Sequence, residues 1–457
     1  MRRIVHDQLH LVPTTIEHAH AREFKQMSEV LDALPEAVQA VHADLLRRAG
    51  KRVDAEKGRD GMTAEQVLRA LVVKQMNGFS YEELAFHLAD SNTYRAFCRF
   101  GIDEKPLTKS TLQKNIKCIR EETWTFINCK LVQYAAAQGV ETGETTRTDC
   151  TVVESNIHEP TDSSLLRDCV RVLARQMSRA EEDFGLRFRN HSRRAKRRAL
   201  GILNAKSDSE RLPLYRDLLR VTKATVRSAT RIASELDTLK THDIGALVRA
   251  EVLAKSLRHY CKLAERVIDQ TQRRVLRGQS VPAHEKIVSI FEPHTDIIVK
   301  DRRETLYGHK LCLTTGASGL VIDAVVEKGN PSDSSLAVKM VVRQRNVFGK
   351  VPRQVSLDGG FASGSNLTNL KALGVEDVAF TKRRGLSLAD MVKSTWVYRC
   401  LRNFRAGIEG TISFLKRVFG LDRCTWSGLD SFKAYVAGSV LACNLLVLAR
   451  HMLAASG

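Results

Sequence analysis

The chain has ten cysteines but no pair at CxxC spacing. Without zinc-type spacing they read as reduced, mostly buried thiols, as in a cytoplasm. The opening MRRIVHDQLHLVPTTIEHAH lacks the apolar core of a signal peptide. The longest apolar stretch, around Ala434–Leu448, is interrupted by Gly438, Ser439 and Asn444. It falls short of the roughly 20 residues a bilayer crossing needs, so a buried helix and no membrane partner are expected. Phosphate loops of the GxxxxGK and GxGxxG types are missing from usable context, which argues against an ATP-driven motor. There is no internal repeat and no low-complexity segment. Acidic residues are in deficit, 52 against 72 Lys and Arg, leaving a net charge of +20.

A surplus of that size implies a polyanionic partner, because each cation placed on a phosphate releases a condensed counterion. Ribosomal and membrane-surface proteins share such a charge. With 43% hydrophobic residues the chain can build real cores, and 457 residues imply two to four domains at roughly 150 residues each.

From about Leu31 to Gly139 the pattern is helical. Thr63 with Gln66 and Ser80 with Glu83 form potential capping boxes, and Gly78 between them is a stop before a restart. A further helix starts near Thr108 and runs to Arg120. Leu112, Ile116 and Ile119 form its buried stripe, while Lys109, Gln113, Lys117 and Arg120 line another face. That face suits either DNA or plain solvent. After Gly139, TTRTDCTVVES reads as a strand. A long helical stretch then spans about Ser163–Gln279, with a dense basic run from Arg187 to Arg198. Leu218, Thr222, Thr225, Ala229, Ile232, Leu236 and Leu239 recur at four- and three-residue steps, and Ala246, Ala250, Leu253, Leu257, Tyr260, Ala264 and Val267 repeat the pattern. A helical hairpin with a coiled-coil-like seam is expected. Strand character returns at Lys286–Val299, followed by a β-hairpin turning at Thr315–Gly319. Next come a helix around Ser334–Gln344, the strand of RQVSLDGG, a helix Ser365–Leu373 and the strand VEDVAF. The chain is helical again from about Val397.

Three acids stand out by position: Asp149 within the first strand, Asp358 closing a later strand before two glycines, and Glu409 on a late helix. Two adjacent strands with a helix across them can gather such carboxylates. Like charges so close raise each other's pKa unless cations neutralise them. Mg²⁺, a hard ion preferring oxygen ligands, suits the role. Two ions roughly 3.5–4 Å apart serve phosphodiester displacement. On the late helix Arg402, Arg405, Glu409 and Lys416 share one face, and Ile408, Ile412, Leu415 and Phe419 form an apolar one. The charged face equally suits solvated ion pairs such as Arg405–Glu409, and strand-end aspartates often cap turns. Asp162, His158, Asp323, Glu327, Asp333 and His309 are further polar candidates near these elements. Cys150, next to Asp149, has no indicated histidine partner for a thiol nucleophile.

Three stretches resemble the insertion-sequence transposases that carry a DDE catalytic triad on an RNase H-like fold. RTDCTVVESNIHEPTDSSLL resembles the segment around the first catalytic aspartate, and VSLDGGFAS that around the second. RNFRAGIEGTISFLKR resembles the Tyr-x2-Arg-x3-Glu-x6-Lys signature, with Arg402 where the signature has tyrosine. The resemblance implies Asp149, Asp358 and Glu409 as catalytic metal ligands, with two Mg²⁺ per site and Mn²⁺ as a substitute, and Arg405 and Lys416 as signature cations. It also implies a DNA transposase that cleaves element ends and joins the 3′-hydroxyl to target DNA. Its partners are double-stranded DNA, as terminal inverted repeats and target, and a second copy of the chain in the synaptic complex. A cytoplasmic, nucleoid-associated place follows. The expected architecture is an α/β RNase H-like core (141–162 and 280–457) with an all-α DNA-binding domain (1–140) and a large helical insertion (163–279). Lys109, Lys117, Arg120, Arg193, Arg194, Arg197, Arg405 and Lys416 are the expected DNA contacts. The rival readings are a catalytically inactive, transposase-derived DNA-binding protein and a structural RNA-binding protein, the second of which leaves the ordered acids unexplained.

Overall fold

The computed structural model describes residue 4 and residues 18–49, 61–101, 104–300 and 304–456. Most of the opening stretch tested for a signal peptide, residues 50–60 of the expected helical region, and residues 301–303 before YGHK lie outside the described residues. The chain divides into two compact units: Met1–Asn156 with His309–Gly457, and Ile157–Gly308.

The first unit opens with α1 (Ala19–Asp32), α2 (Pro35–Ala49), α3 (Ala64–Asn77), α4 (Tyr81–Asp90), α5 (Asn92–Phe97), α6 (Lys109–Ile116) and α7 (Glu121–Ala137). Both expected capping boxes form. Thr63 Oγ1 accepts from the Gln66 amide at 3.1 Å while Gln66 Oε1 accepts from the Thr63 amide at 3.0 Å. Ser80 and Glu83 do the same at 3.2 and 2.7 Å. Each box satisfies two amides that a helix start leaves without partners. Gly78 ends α3 in the left-handed region, φ +65°, where a side chain would be strained. Leu112, Ile116 and Ile119 are buried as expected, but the helix they line stops at Ile116. Arg120 instead leads into α7. Its amide and Nε donate to the buried Asp44 at 3.0 and 2.8 Å, and that carboxylate reorients the chain.

The strand β1 (Thr145–Ser155) follows. The second unit then contains α8 (Asp162–Phe184), α9 (Ser192–Asn204), α10 (Asp208–Asp237) and α11 (Ile244–Thr271). Most of the expected seam is buried, from Leu218 to Leu236 on α10 and from Ala250 to Val267 on α11. Thr222 and Thr225 fit there because their hydroxyls donate back to Leu218 and Val221 carbonyls at 2.8 and 2.9 Å. The two helices are more than a hairpin: α8 packs on both, adding Leu165, Leu166, Val170, Leu173 and Met177 to one core. Of the expected strand Lys286–Val299, the structure forms β2 (Asp296–Lys300). Upstream of it, Ile287 is held by Gln270 of α11, which accepts from its amide at 2.9 Å and donates to its carbonyl at 3.1 Å. A segment whose backbone is satisfied by a helix side chain has no need of a strand partner. β2 pairs antiparallel with Glu304–Gly308, the first part of β3 (Glu304–Thr315).

Back in the first unit, β3 turns into β4 (Val321–Val326), the expected hairpin. Then come α12 (Asp333–Arg343), α13 (Arg345–Phe348), β5 (Gln354–Leu357), α14 (Gly364–Ala372), β6 (Asp377–Phe380), α15 (Leu388–Met391), α16 (Thr395–Val418), β7 (Arg423–Cys424) and α17 (Leu429–Ser456). The sheet neighbours run β3-β1-β5-β6, with β4 on β3 and β7 on the end of β1. β1, β5 and β6 are parallel. The C-terminal apolar helix is longer than the sequence implies, 28 residues. It is long and apolar enough to cross a membrane, yet it is mostly buried in the protein. Its polar interruptions bind it there. Ser439 accepts from Gln75 at 2.9 Å, and Asn444 bonds the Val321 amide, the Val321 carbonyl and Asn128 at 2.7–2.8 Å.

Candidate active site

The β1–β5 register ends at the pair Thr148 and Leu357, and the next residue on each strand is an acid, Asp149 and Asp358. Parallel pairing thus sets two carboxylates side by side on neighbouring strands in the middle of the sheet. Helix α16 crosses both strands. It is capped by Ser394, whose hydroxyl accepts from the Val397 amide at 3.2 Å, and it buries Val397, Leu401, Ile408 and Leu415. Arg405 and Glu409 lie along the flank of that buried face.

Arg405 is the centre of the site. Its Nη2 lies 2.6 Å from Asp149 Oδ2 and 3.6 Å from Asp358 Oδ1, and its Nη1 lies 2.9 Å from Glu409 Oε1. The three acids singled out in the sequence therefore meet one guanidinium. They differ in setting: Asp149 is 16% exposed, Asp358 41% and Glu409 66%. Burial pushes the Asp149 carboxyl above the ordinary aspartate value in spite of Arg405 beside it, and the Asp358 charge pushes the same way. Asp358 goes in the other direction. Burial opposes its charge, but hydrogen bonds from Thr381 at 2.8 Å and from the Gly359 amide, with Arg405 nearby, hold it below the usual value. Three carboxylates on one guanidinium leave an excess of negative charge. Among the described residues no three His, Cys, Asp or Glu side chains close up as a metal cage; these acids face Arg405.

Residues not singled out in the sequence hold the arrangement. Arg147, two before Asp149 and so on the same face of β1, donates to the Phe404 carbonyl at 2.6 Å and to Thr315 at 2.9 Å. It ties β1 to α16. Gly407 makes room: a Cβ there would stand 2.1 Å from Arg147 Nη1. A glycine inside a helix next to Glu409 was the available signal for this close approach.

The other candidates have partners of their own, although Asp333 also lies beside Gly360, two residues from Asp358. Asp323 pairs with Arg343, Glu327 with Lys339 at 2.7 Å and Asp333 with Lys310 at 2.9 Å. His309 is buried, edge-on to Phe432. Asp162 and His158 belong to the second unit, where Asp162 accepts from Arg274 at 2.9 Å and His158 lies 3.5 Å from Asp168. A hydrogen bond with Cys312 and burial push the Cys150 thiol far above the ordinary range, unlike a nucleophile. Among the expected DNA contacts, Lys109 pairs with Glu82 at 3.1 Å, Arg120 with Asp44 and Lys416 with Asp422 at 3.7 Å. Lys117 lies over the rings of Tyr81 and Trp426. In the basic run Arg194 and Arg198 clasp Asp217, each at 2.6 Å, whereas Arg193, Lys196 and Arg197 are exposed.

Residues 268–445 match the family described as Transposase DDE domain, a span that contains Asp358, Arg405 and Glu409. Residues 19–118, the first six helices, match the family described as Transposase domain (DUF772). Asp149 lies outside both spans. Comparison with curated proteins and with solved structures yields no match. A DDE-domain match holding two of the three clustered acids, preceded by a transposase-domain match in the N-terminal helices, places the chain among the DDE transposases of insertion-sequence type.

Proposed function

We propose that this transposase cleaves DNA at the ends of its element and joins the freed 3′-hydroxyl to target DNA, with Asp149, Asp358 and Glu409 as the acids of one active site. The observation that carries the reading is their convergence on Arg405 from three separate elements. A parallel β1–β5–β6 array beside the β3–β4 hairpin supports an RNase H-like core built from residues 141–162 and 280–457, with the 163–279 helices as an insertion and 1–140 as the DNA-binding region.

The donor set fits a divalent hard cation. It offers carboxylate oxygens alone, and one guanidinium undercompensates three acids. Mg²⁺, as two ions with Mn²⁺ as substitute, is the proposed cofactor, held by Asp149, Asp358 and Glu409. Bound there, it supplies charge stabilisation at phosphorus and an acidified water. The chain's own groups do the rest. Thr381 and the Gly359 amide orient Asp358. Arg147 holds β1 against α16, keeping Asp149 in register with Glu409. Arg405, whose terminal nitrogens bind Asp149 and Glu409, would be free to donate to a DNA phosphate once a cation takes over these acids. Water attack and 3′-hydroxyl attack are both in-line displacements, so one site serves both. Pairing two ends calls for two copies of the chain.

Asp149→Ala, Asp358→Ala and Glu409→Ala should each lower Mg²⁺-dependent strand cleavage by at least about a thousandfold, ~4 kcal/mol of barrier, while end binding in a gel-shift assay persists. A variant cleaving near the wild-type rate would remove that residue from the site. A wild-type chain that binds ends but cleaves none with Mg²⁺ or Mn²⁺ would be the inactive derivative.

A further inference from the structure

The first unit holds a cavity of about 560 Å³ whose lining includes none of the acids around Arg405. The end of α3, the Gly78–Ser80 turn, the start of α4 and the 419–426 segment form its walls. Lys74 of α3 is 5% exposed, and its ammonium lies 5.1 Å from the Tyr81 ring centroid. Among the described residues it has no hydrogen bond or ion pair to an acid. Lys117, just past α6, stands 5.4 Å from the Trp426 ring centroid and 6.0 Å from that of Tyr81.

The acids in the lining are committed. Glu83 accepts from the Ser80 amide at 2.7 Å in the α4 capping box, and Asp422 lies 3.7 Å from Lys416. Among the described residues the Tyr81 hydroxyl and the Trp426 indole N–H, on the same walls, also lack hydrogen-bond partners. Buried donors without acceptors mark a place where an acceptor belongs. Glu83 attracts this ammonium without forming an ion pair with it; such a buried, unpaired charge is costly, and an apolar side chain would fill that position at no such cost. Burial and the neighbouring Lys117 push Lys74 down to about 8, so it still carries a proton near neutral pH. A second cavity of about 460 Å³ shares Gln113 and Lys117 with the first and adds Arg47 and Lys114, with no acid in its lining.

We infer that the Lys74–Lys117 cavity binds a phosphate group, with the two ammoniums as its donors. Each ammonium offers three N–H donors and phosphate offers several acceptor oxygens. The aromatic faces hold both cations in place before the anion arrives. Two sources share this chemistry: a phosphodiester of the DNA backbone and free phosphate. The sharing of Lys117 between two basic cavities suits consecutive phosphates of one strand. The site is separate from the acid cluster and does not depend on the roles proposed for it.

The test uses the full chain as wild type, Lys74→Met and Lys117→Gln. One arm compares Tm in inorganic phosphate with Tm in chloride at equal ionic strength. The other follows binding of a random duplex of about 30 base pairs against salt, where each phosphate contact contributes roughly 0.9 to the slope. A free-phosphate site gives a phosphate-specific Tm rise in the wild type that the variants lose. A backbone site gives variants whose salt slope is shallower by about 0.9 each. Either loss supports the site. Variants that match the wild type in both arms overturn it. Circular dichroism checks folding; if Lys74→Met does not fold, the less buried Lys117→Gln decides alone.

Discussion

Arg405 touches three acids and can neutralise one charge. It is 14% exposed and its partners range from 16 to 66%, so the cluster is half in water and its electrostatics are partly screened. Replacing it with glutamine leaves Asp149 buried beside Asp358 with no cation. Arg405→Gln should therefore destabilise the protein in EDTA by about 1–3 kcal/mol, below the range for a fully buried pair, and lower its Tm accordingly. It should also enlarge the stabilisation by added Mg²⁺, because the ion then meets uncompensated carboxylates. Melting curves with and without Mg²⁺ give both numbers; an Mg²⁺ effect no larger than in the wild type would mean that Arg405 and the ion do not share these acids. The three acids were singled out by their resemblance to the transposase motifs; strand, strand-end and helix positions alone left turn caps and solvated ion pairs open. Arg405's position among all three could not be read from the chain, since spacing alone equally allows a solvated pair with Glu409.

At the scale of elements, the fit of α16 against β1 depends on one missing side chain. Gly407 faces Arg147 at a distance that a methyl group would close, whereas a Cβ at Gly410 meets nothing within 4 Å. Gly410→Ala should stabilise the protein by about 0.5–1 kcal/mol through helix propensity. Gly407→Ala gains the same propensity but displaces the Arg147 guanidinium from the Phe404 carbonyl, so it should be net destabilising and should reduce cleavage. Urea unfolding of the two variants separates the effects; equal stabilisation by both would show that Arg147 yields without cost. The caps of α3 and α4 were legible because Thr-x-x-Gln and Ser-x-x-Glu are local chemistry. The separate start of α7 was not, because Arg120 before it is held by Asp44, more than seventy residues away in sequence.

At the scale of the molecule, the net charge of +20 is spent unevenly. In the second unit Arg194, Arg198 and Arg220 all bond Asp217. Burial opposes the charge on Asp217, but those hydrogen bonds hold its carboxyl far below the usual value. A depressed carboxylate adds stability above its unfolded pKa of about 3.9, and that contribution is lost as pH falls through the lower native value. Asp217→Asn should therefore weaken the protein at neutral pH and flatten its loss of stability below pH ~4. Acid titration of both proteins by circular dichroism checks this; identical profiles would show that the clasp contributes nothing. Arg193, Lys196 and Arg197 are the exposed remainder of the run. Changing those three to glutamine should cut the salt slope of DNA binding by up to about 2.7, at roughly 0.9 per phosphate. An unchanged slope in the folded variant would make them a solvated face.

What the sequence determined by itself was local or periodic: the caps, the hairpin, the seam positions of α10 and α11, the order of the three acids, and a charge that calls for a polyanion. These follow from backbone hydrogen-bonding needs and from burial at helical or strand spacing, which act over a few residues. Tertiary structure alone decided which charges were already taken. Arg120 and Arg194, expected on DNA, are held by Asp44 and Asp217, and Lys74, unremarked in the sequence, is buried with no ion pair to an acid among the described residues. The Arg120–Asp44 and Arg194–Asp217 pairs join segments remote in sequence, so the spacing of residues along the chain does not encode them.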